Sequence, residues 1–417
     1  MSTVLAPLEG HAPLTRSGTS SRGLRVLQVI ASIADVNGGA STAMWSTLDA
    51  LRLRNVDVDL VTTNEDGLNR LMDVPFGRFI RQREHRIRYF PTRGDRYTTS
   101  WPLAVWLLRH IREYDIVHIH GLFRFAPVAA AHAAIVRGVP YVLTLHNTLG
   151  DWGLRNRRPL LKKVSIGLIE GRMLDHARKV HLCSADELRL VSRVRPLGSR
   201  SAVFPLGIDF PQAAAEEAPA QAPEHESFAG RKVVLFMSRI HEIKGLDTLI
   251  TAFASVQKGH PETVLVIAGT GDEKLVARLH ALAQQVGVAQ HTHWIGFVQG
   301  ERKRNLLANA TVFVLPSHSE NFGYAVIEAM LAGLPIITTA NVPAGEFAIG
   351  AGAGVIFDGT SEDLALSIEV MLALPDTQRR QLGHRAELTV RQRLSLQTFG
   401  EALETLYREV CQAPLTS

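Results

Sequence analysis

Apolar residues in this chain fall into short, nearly continuous runs separated by longer stretches of helical spacing. The first run is Leu24-Arg25-Val26-Leu27-Gln28-Val29-Ile30. A loop ending in Asn37-Gly38-Gly39 follows, then a predicted helix over about 40–53 and a second strand over 56–61. Ile116-Val117-His118-Ile119-His120-Gly121 and Tyr141-Val142-Leu143-Thr144-Leu145-His146-Asn147 are two further strands running into loops. The pattern starts afresh at Val233-Val234-Leu235-Phe236-Met237, and apolar strands over 264–268, 294–298, 312–315 and 335–339 alternate with helical segments. Strand–helix alternation builds a parallel sheet, and runs apolar on both faces fit one that is covered on both sides. A last helical pattern covers 396–410.

These restarts predict an organisation. Residues 1–22 hold Ser, Thr, Gly and Pro without an apolar core, so they read as a disordered tail and not as a signal peptide. A first Rossmann-like domain is expected over 23–208, a linker over 209–230 and a second Rossmann-like domain over 231–395, with 396–417 as a terminal helix. The linker is placed by the Ala-, Pro-, Glu- and Gln-rich stretch 211–226, which cannot hold a core. A chain of 417 residues is long enough for two full cores. Its composition, 46% hydrophobic and 20% charged, is that of a soluble globular protein. No run reaches the roughly 18–20 apolar residues that span a bilayer. Cys183 and Cys411 show no metal-ligand spacing, which suits a reduced, cytoplasmic compartment. A net charge of +5 suggests an anionic partner.

Candidate chemistry concentrates after the strand at 312–315. There the chain reads Ser317-His318-Ser319-Glu320-Asn321-Phe322-Gly323-Tyr324-Ala325-Val326-Ile327-Glu328-Ala329-Met330-Leu331-Ala332-Gly333-Leu334-Pro335. Asn321, Phe322 and Gly323 stand at a predicted helix N-terminus, where backbone N–H groups and the helix dipole favour an anion such as phosphate. Glu320 lies before that helix and Glu328 about two turns along it. One carboxylate can face a phosphate-linked group and the other the vicinal hydroxyls of a ribose or sugar ring. A solvated loop Glu and a helix-surface Glu would carry the same letters. Ser238-Arg239-Ile240-His241-Glu242-Ile243-Lys244-Gly245 follows the second domain's first strand. Cations near a helix start are disfavoured unless an anion is present, so Arg239 and Lys244 suggest a phosphate site.

Further candidates are weaker. Gly38 and Gly39 would let backbone approach a ligand closely, or form only a turn. His120 and His146 stand at carboxyl ends of strands, where sites form in this class of fold, while His118 is expected to pack into the sheet. Gly269-Thr270-Gly271 is a second small-residue turn. Phe297, in Gly296-Phe297-Val298, is either near a ligand or a packed strand residue. Asp57-Val58-Asp59 has the spelling of a divalent-cation site, but it sits within a strand with no further ligand cluster and reads as structural. Arg78, Arg81, Arg83, Arg86 and Arg88, with Tyr89-Phe90, Trp101 and Trp106, and a second stretch over 155–163, fit an anionic membrane surface, a polyprenyl-diphosphate acceptor or a solvated charged face. Nucleic acid is not expected, since no binding module accompanies the charge.

The string with two Glu, Phe-Gly after the first and Met-x-x-Gly-x-Pro after the second resembles the signature of the retaining family-four glycosyltransferases. That resemblance implies the α/β GT-B fold, two Rossmann-like domains facing each other across a cleft, with the terminal helix crossing back onto the first. It implies a nucleotide-diphosphate sugar donor in the second domain and an acceptor in the first. Arg239 and Lys244 would neutralise the departing diphosphate, Glu328 would take hydroxyls, and the backbone at Phe297 would contact the base. Glu320 and His146 would serve the reacting centre. Val342-Pro343-Ala344-Gly345-Glu346 departs from the family's Gly-x-x-Glu, so Glu346 receives no role. The implied activity is hexosyl transfer to a glycan or polyprenyl-diphosphate-linked acceptor in cell-surface or exopolysaccharide synthesis, with no metal and no cofactor beyond the donor. It would occur in the cytoplasm or peripherally at the inner face of the plasma membrane. A nucleotide-sugar epimerase on a similar fold and a noncatalytic sugar-binding protein are the alternatives.

Overall fold

The computed structural model describes residues 23–67, 70–149, 159–208, 228, 230–320 and 322–413. The expected tail over 1–22 and Asn321 lie outside them, as does nearly all of the expected linker. Contacts divide the chain into a unit reaching to residue 209 that takes back residues from 396 onward, and a second unit over 210–395.

The first unit is built on an eight-stranded sheet. Its strands are β1 (Arg25–Ile30), β2 (Asp57–Thr63), β3 (Ile80–Gln82), β4 (His85–Phe90), β5 (Ile116–His120), β6 (Tyr141–Thr144), β7 (Lys179–Leu182) and β8 (Ser201–Val203), in the order β3-β4-β2-β1-β5-β6-β7-β8. Every pairing is parallel except β3 with β4. Val26, Leu27 and Val29 of β1 are fully buried, as the central strand of a covered parallel sheet requires. The order reverses at β1 and β5, and in such sheets ligands bind beyond the strand carboxyl ends at that reversal.

β3 and β4 divide the arginine run: Arg78, Arg81 and Arg83 are exposed, while Arg86 and Arg88 are partly covered. Alternation buries Ile80, His85, Ile87 and Tyr89 in the pair. Arg86 pairs with buried Asp59 at 3.1 Å, and the Arg88 guanidinium lies within 5.8 Å of the Phe79, Phe90 and Trp106 ring centres. Trp106 is buried too, whereas Trp101 is exposed. Asp59 also accepts from the Tyr114 hydroxyl at 2.7 Å. Asp57-Val58-Asp59 is therefore a structural anchor, with Asp59 tied to β4 and Tyr114 while Asp57 is half exposed.

The helix Leu396–Gln412 belongs to this first unit. It buries Phe399, Gly400, Leu403, Leu406, Tyr407 and Val410, one stripe of helical spacing. Gly400 sits against the helix Gly39–Leu53 so closely that an added Cβ would lie 2.6 Å from the Ala50 carbonyl oxygen. Arg54 pairs with Glu404 at 2.9 Å across the same contact.

The second unit holds a six-stranded sheet of β9 (Lys232–Met237), β10 (Thr263–Ala268), β11 (Thr292–Gly296), β12 (Val312–Leu315), β13 (Ile336–Thr339) and β14 (Gly354–Phe357). The order is β11-β10-β9-β12-β13-β14, all parallel, and it reverses at β9 and β12. The expected strand at 294–298 lies two residues earlier. The β10–β11 register shifts between Ile267 and Ala268, and Gly296, at φ +73°, ends the strand there. Among the described residues no helix is long and apolar enough to cross a membrane.

Candidate active site

The carboxyl ends of β9 and β12, the reversal point of the second sheet, deliver the loops 238–245 and 316–323. Their backbones are locked together. Gly245, at φ +64°, lies so close to the Pro316 carbonyl that no Cβ fits, and the His318 amide donates to the Ile243 carbonyl at 2.8 Å. Gly269 and Gly271 press in the same way on the backbone of Ser238 and Ile240, and the Ile240 amide donates to the Thr270 carbonyl at 2.8 Å. The small-residue turn is thus a packing requirement that frames the site.

Lys244 and Glu320 meet directly as an ion pair, each side chain only about an eighth exposed, at 12% and 13%. Fully buried Ser317 donates its hydroxyl to the same Glu320 oxygen at 2.9 Å. Thr339 on β13 in turn donates to the Ser317 carbonyl at 2.5 Å. Arg239 is exposed at the end of β9. Gly323, at φ +100°, caps the helix Tyr324–Leu331, and an added Cβ would lie 2.8 Å from Val342. Phe322 is buried with its ring edge-on to Tyr324 and Phe347, so it anchors the helix start. Phe297 is 63% exposed, which removes the packed-strand explanation for it.

Glu328 lies on the helix Tyr324–Leu331 and is held by Lys303 of the helix Gly300–Asn309 at 2.7 Å. The sequence reading missed Lys303, because the pair joins positions far apart with no fixed spacing. Gly383 backs the turn that ends the Glu328 helix, approaching Gly333 too closely for any side chain.

Gly38, Gly39 and His146 belong to the first unit. Gly38, at φ +59°, caps the helix Gly39–Leu53, and a Cβ there would meet open space, so its conformation and not crowding requires glycine. His146 and Asn147 stand beyond β6 in the left-handed region, at φ +52° and +54°, a costly backbone for residues other than glycine. Glu187 holds this turn. Its carboxylate accepts from the Asn147 amide at 2.6 Å and the Cys183 amide at 2.8 Å, joining the loops after β6 and β7. Burial pushes the Glu187 carboxyl up, while these amide donors oppose the shift. Ser184-Ala185-Asp186-Glu187 has the capping-box spelling that could have signalled it, and Ser184 does accept from the Glu187 amide.

Behind His146 runs a chain of polar side chains. His146 Nε2 is 3.1 Å from His120 Nδ1, and His120 Nε2 is 2.8 Å from the Gln28 carbonyl oxygen. The Gln28 amide donates to the Tyr407 hydroxyl at 3.0 Å, which is 2.6 Å from His118 Nδ1. His118 Nε2 is 2.7 Å from the Thr144 hydroxyl, itself 3.0 Å from His181 Nδ1. His181 Nε2 ends the chain 3.0 Å from the Phe204 carbonyl. Burial lowers all four imidazoles, His146 and His181 to about 4 and His118 and His120 well below the ordinary value.

Two Rossmann-like units and a cation–carboxylate loop at the second sheet's reversal define a class of proteins that bind phosphate-bearing ligands at strand ends. Comparison with known proteins narrows the class. Residues 218–389 match the family model "Glycosyl transferases group 1" and residues 37–211 the model "Glycosyltransferase Family 4". An uncharacterized glycosyltransferase of Methanocaldococcus jannaschii is 38% identical over 26% of this chain, an alignment spanning only 27% of that relative. The GDP-mannose:cellobiosyl-diphosphopolyprenol alpha-mannosyltransferase of Xanthomonas oryzae is 26% identical over 84% of this chain and 88% of its own. Among solved structures, Anabaena HepE in complex with UDP and glucose superposes with a TM-score of 0.71 at 20% identity, covering 93% of this chain and all of that one. The chain belongs to the family-four-type glycosyltransferases and has their GT-B fold.

Proposed function

We propose that this protein moves a hexosyl group from a nucleotide-diphosphate sugar to a hydroxyl of a glycan or lipid-linked acceptor, with retention of anomeric configuration and without a metal. The observation that carries the reading is the joining of Lys244 and Glu320 at the β9–β12 reversal, on a loop that also carries exposed Arg239. A nucleoside diphosphate leaving group gains negative charge as the glycosidic bond breaks, and fixed cations aimed at that charge stabilise the transition state. Arg239 offers a planar fork for phosphate oxygens and Lys244 a point charge. Glu328, oriented by Lys303, takes vicinal hydroxyls of the donor. Gly323 and the helix start it caps bring backbone N–H groups to the donor, with Phe322 anchoring that turn, while Asn321 is assigned by its motif alone. The segment at Phe297 borders the base.

The second unit is the donor domain and the first the acceptor domain. In the reaction the anomeric carbon loses its bond to the diphosphate oxygen. It gains one to the acceptor oxygen on the same face, and the departing phosphate takes the acceptor's proton. His146 orients the reacting centre, and Gly38-Gly39 admits close backbone approach. The diphosphopolyprenol in the name of the Xanthomonas relative supports a lipid-linked acceptor and a place in polysaccharide synthesis. Exposed Leu160, Leu161 and Val164 around Lys163 support peripheral contact with an anionic leaflet on the cytoplasmic side.

Thermal denaturation with UDP, GDP and ADP, each with EDTA present, tests this. One nucleotide at about 100 times its dissociation constant adds roughly 2.7 kcal/mol to the folded state. Glu328→Ala should weaken that nucleotide's binding by about 1.5–3 kcal/mol. A shift that vanishes in EDTA and returns with Mg²⁺ overturns metal independence, and no shift with any nucleotide overturns the donor site.

A further inference from the structure

The polar chain behind His146 can run in only one direction. The Phe204 carbonyl only accepts, so His181 donates to it through Nε2 and, being neutral, must accept at Nδ1. The Thr144 hydroxyl therefore donates to His181 and accepts from His118 Nε2. Neutral His118 then accepts at Nδ1, so the Tyr407 hydroxyl donates there and its oxygen accepts from the Gln28 amide. That leaves the Gln28 carbonyl to accept from His120 Nε2, and His120 Nδ1 to accept from His146 Nε2. Turning Gln28 over would ask the Tyr407 oxygen to accept from His118 Nδ1, which carries no proton in the neutral ring. Reversing any link needs an imidazolium in the core, and burial of these four rings opposes that charge.

We propose that Tyr407 is a positioning residue for His146: through Gln28 and His120 it fixes the His146 imidazole with its proton on Nε2 and its lone pair on Nδ1. Tyr407 is fully buried on the helix Leu396–Gln412, and its hydroxyl is the link at which the chain passes from Gln28 to His118. A hydroxyl held between a fixed donor and a fixed acceptor cannot rotate without breaking both bonds. The orientation set at the Phe204 carbonyl is in this way transmitted to the imidazole on the strained turn. The catalytic consequence rests on His146 serving the reaction as proposed above, while the tautomer itself does not.

Nitrogen-15 NMR of the full chain labelled at histidine tests the proposal. His146, assigned by its loss in His146→Ala, should show a protonated Nε2 and an unprotonated Nδ1 at neutral pH. Tyr407→Phe should give a mixture of tautomers at His120 and His146. Its kcat should drop about tenfold or more while the donor KM stays within about twofold, the pattern of a misdirected imidazole. Gln28→Met breaks the neighbouring link and should reproduce both changes, and the double variant should be no worse than either single one. A proton on His146 Nδ1 in the unaltered protein overturns the proposal. So does an unchanged tautomer in whichever of the two variants folds. If His146→Ala keeps full kcat, the role of His146 in turnover fails, and the tautomer result still decides the positioning claim.

Discussion

At the scale of single residues, the pairing of Lys244 with Glu320 decides how the site meets an anion. The cation is largely neutralised by the carboxylate, so a diphosphate must share or replace Glu320 to reach it. Glu320→Gln leaves Lys244 unbalanced in a mostly buried position. The nucleotide-free protein should lose about 1–2 kcal/mol, the cost of an unpaired charge reduced for partial exposure. The thermal shift on adding a nucleoside diphosphate should grow, because the ligand restores the missing negative charge, while turnover falls. A smaller ligand shift in the variant sinks this account. Both residues were legible in the sequence because each lies in a short string with the local logic of a strand, a loop and a helix start. Lys303 was not, since its partner Glu328 sits 25 positions away, and the capping-box spelling around Glu187 does not reveal its bond to Asn147, 40 positions away.

At the scale of elements, the long apolar strands could be read directly, while the partly covered arginines of β4, Arg86 and Arg88, could not be told from their exposed neighbours. The alternation is short, and the partners of those two, Asp59 and Trp106, come from elsewhere in the chain. The contact points of helix crossings were equally hidden, because a small residue within a helix does not say what approaches it. Gly400 is the clearest case. Gly400→Ala gains helix propensity of roughly 1 kcal/mol but forces a methyl to 2.6 Å from the Ala50 carbonyl oxygen. The crossing should open, and we expect a net loss of about 1–3 kcal/mol in the first unit. Urea denaturation followed by tryptophan fluorescence checks this, and a variant as stable as the parent shows the contact to be loose.

At the scale of the whole molecule, four neutral histidines in one core tie stability to pH. A histidine whose folded pKa lies below its unfolded value takes up its proton only on unfolding. Its stabilising contribution is complete above the unfolded value near 6.5 and is lost as pH falls toward about 4, where His146 and His181 titrate. Buried Asp59 and Glu187, pushed up by desolvation, act in the opposite sense, two groups against four. The first unit should therefore weaken between pH 6.5 and 4, by at most about 1.4 kcal/mol per histidine per pH unit. Urea midpoints at pH 7.5 and 5 measure it, and equal midpoints overturn the claim that the rings stay neutral.

The first unit is interrupted in sequence by the whole of the second, because its closing helix is Leu396–Gln412. On the ribosome, the strands carrying Gln28 and His118 emerge long before Tyr407 exists to join them. The groove that receives Phe399, Leu403 and Leu406 waits uncovered while the second unit is synthesised. Nascent chains of this protein thus pass through a stage with one finished unit and one unsealed, and that stage is where a chaperone or a protease would find them.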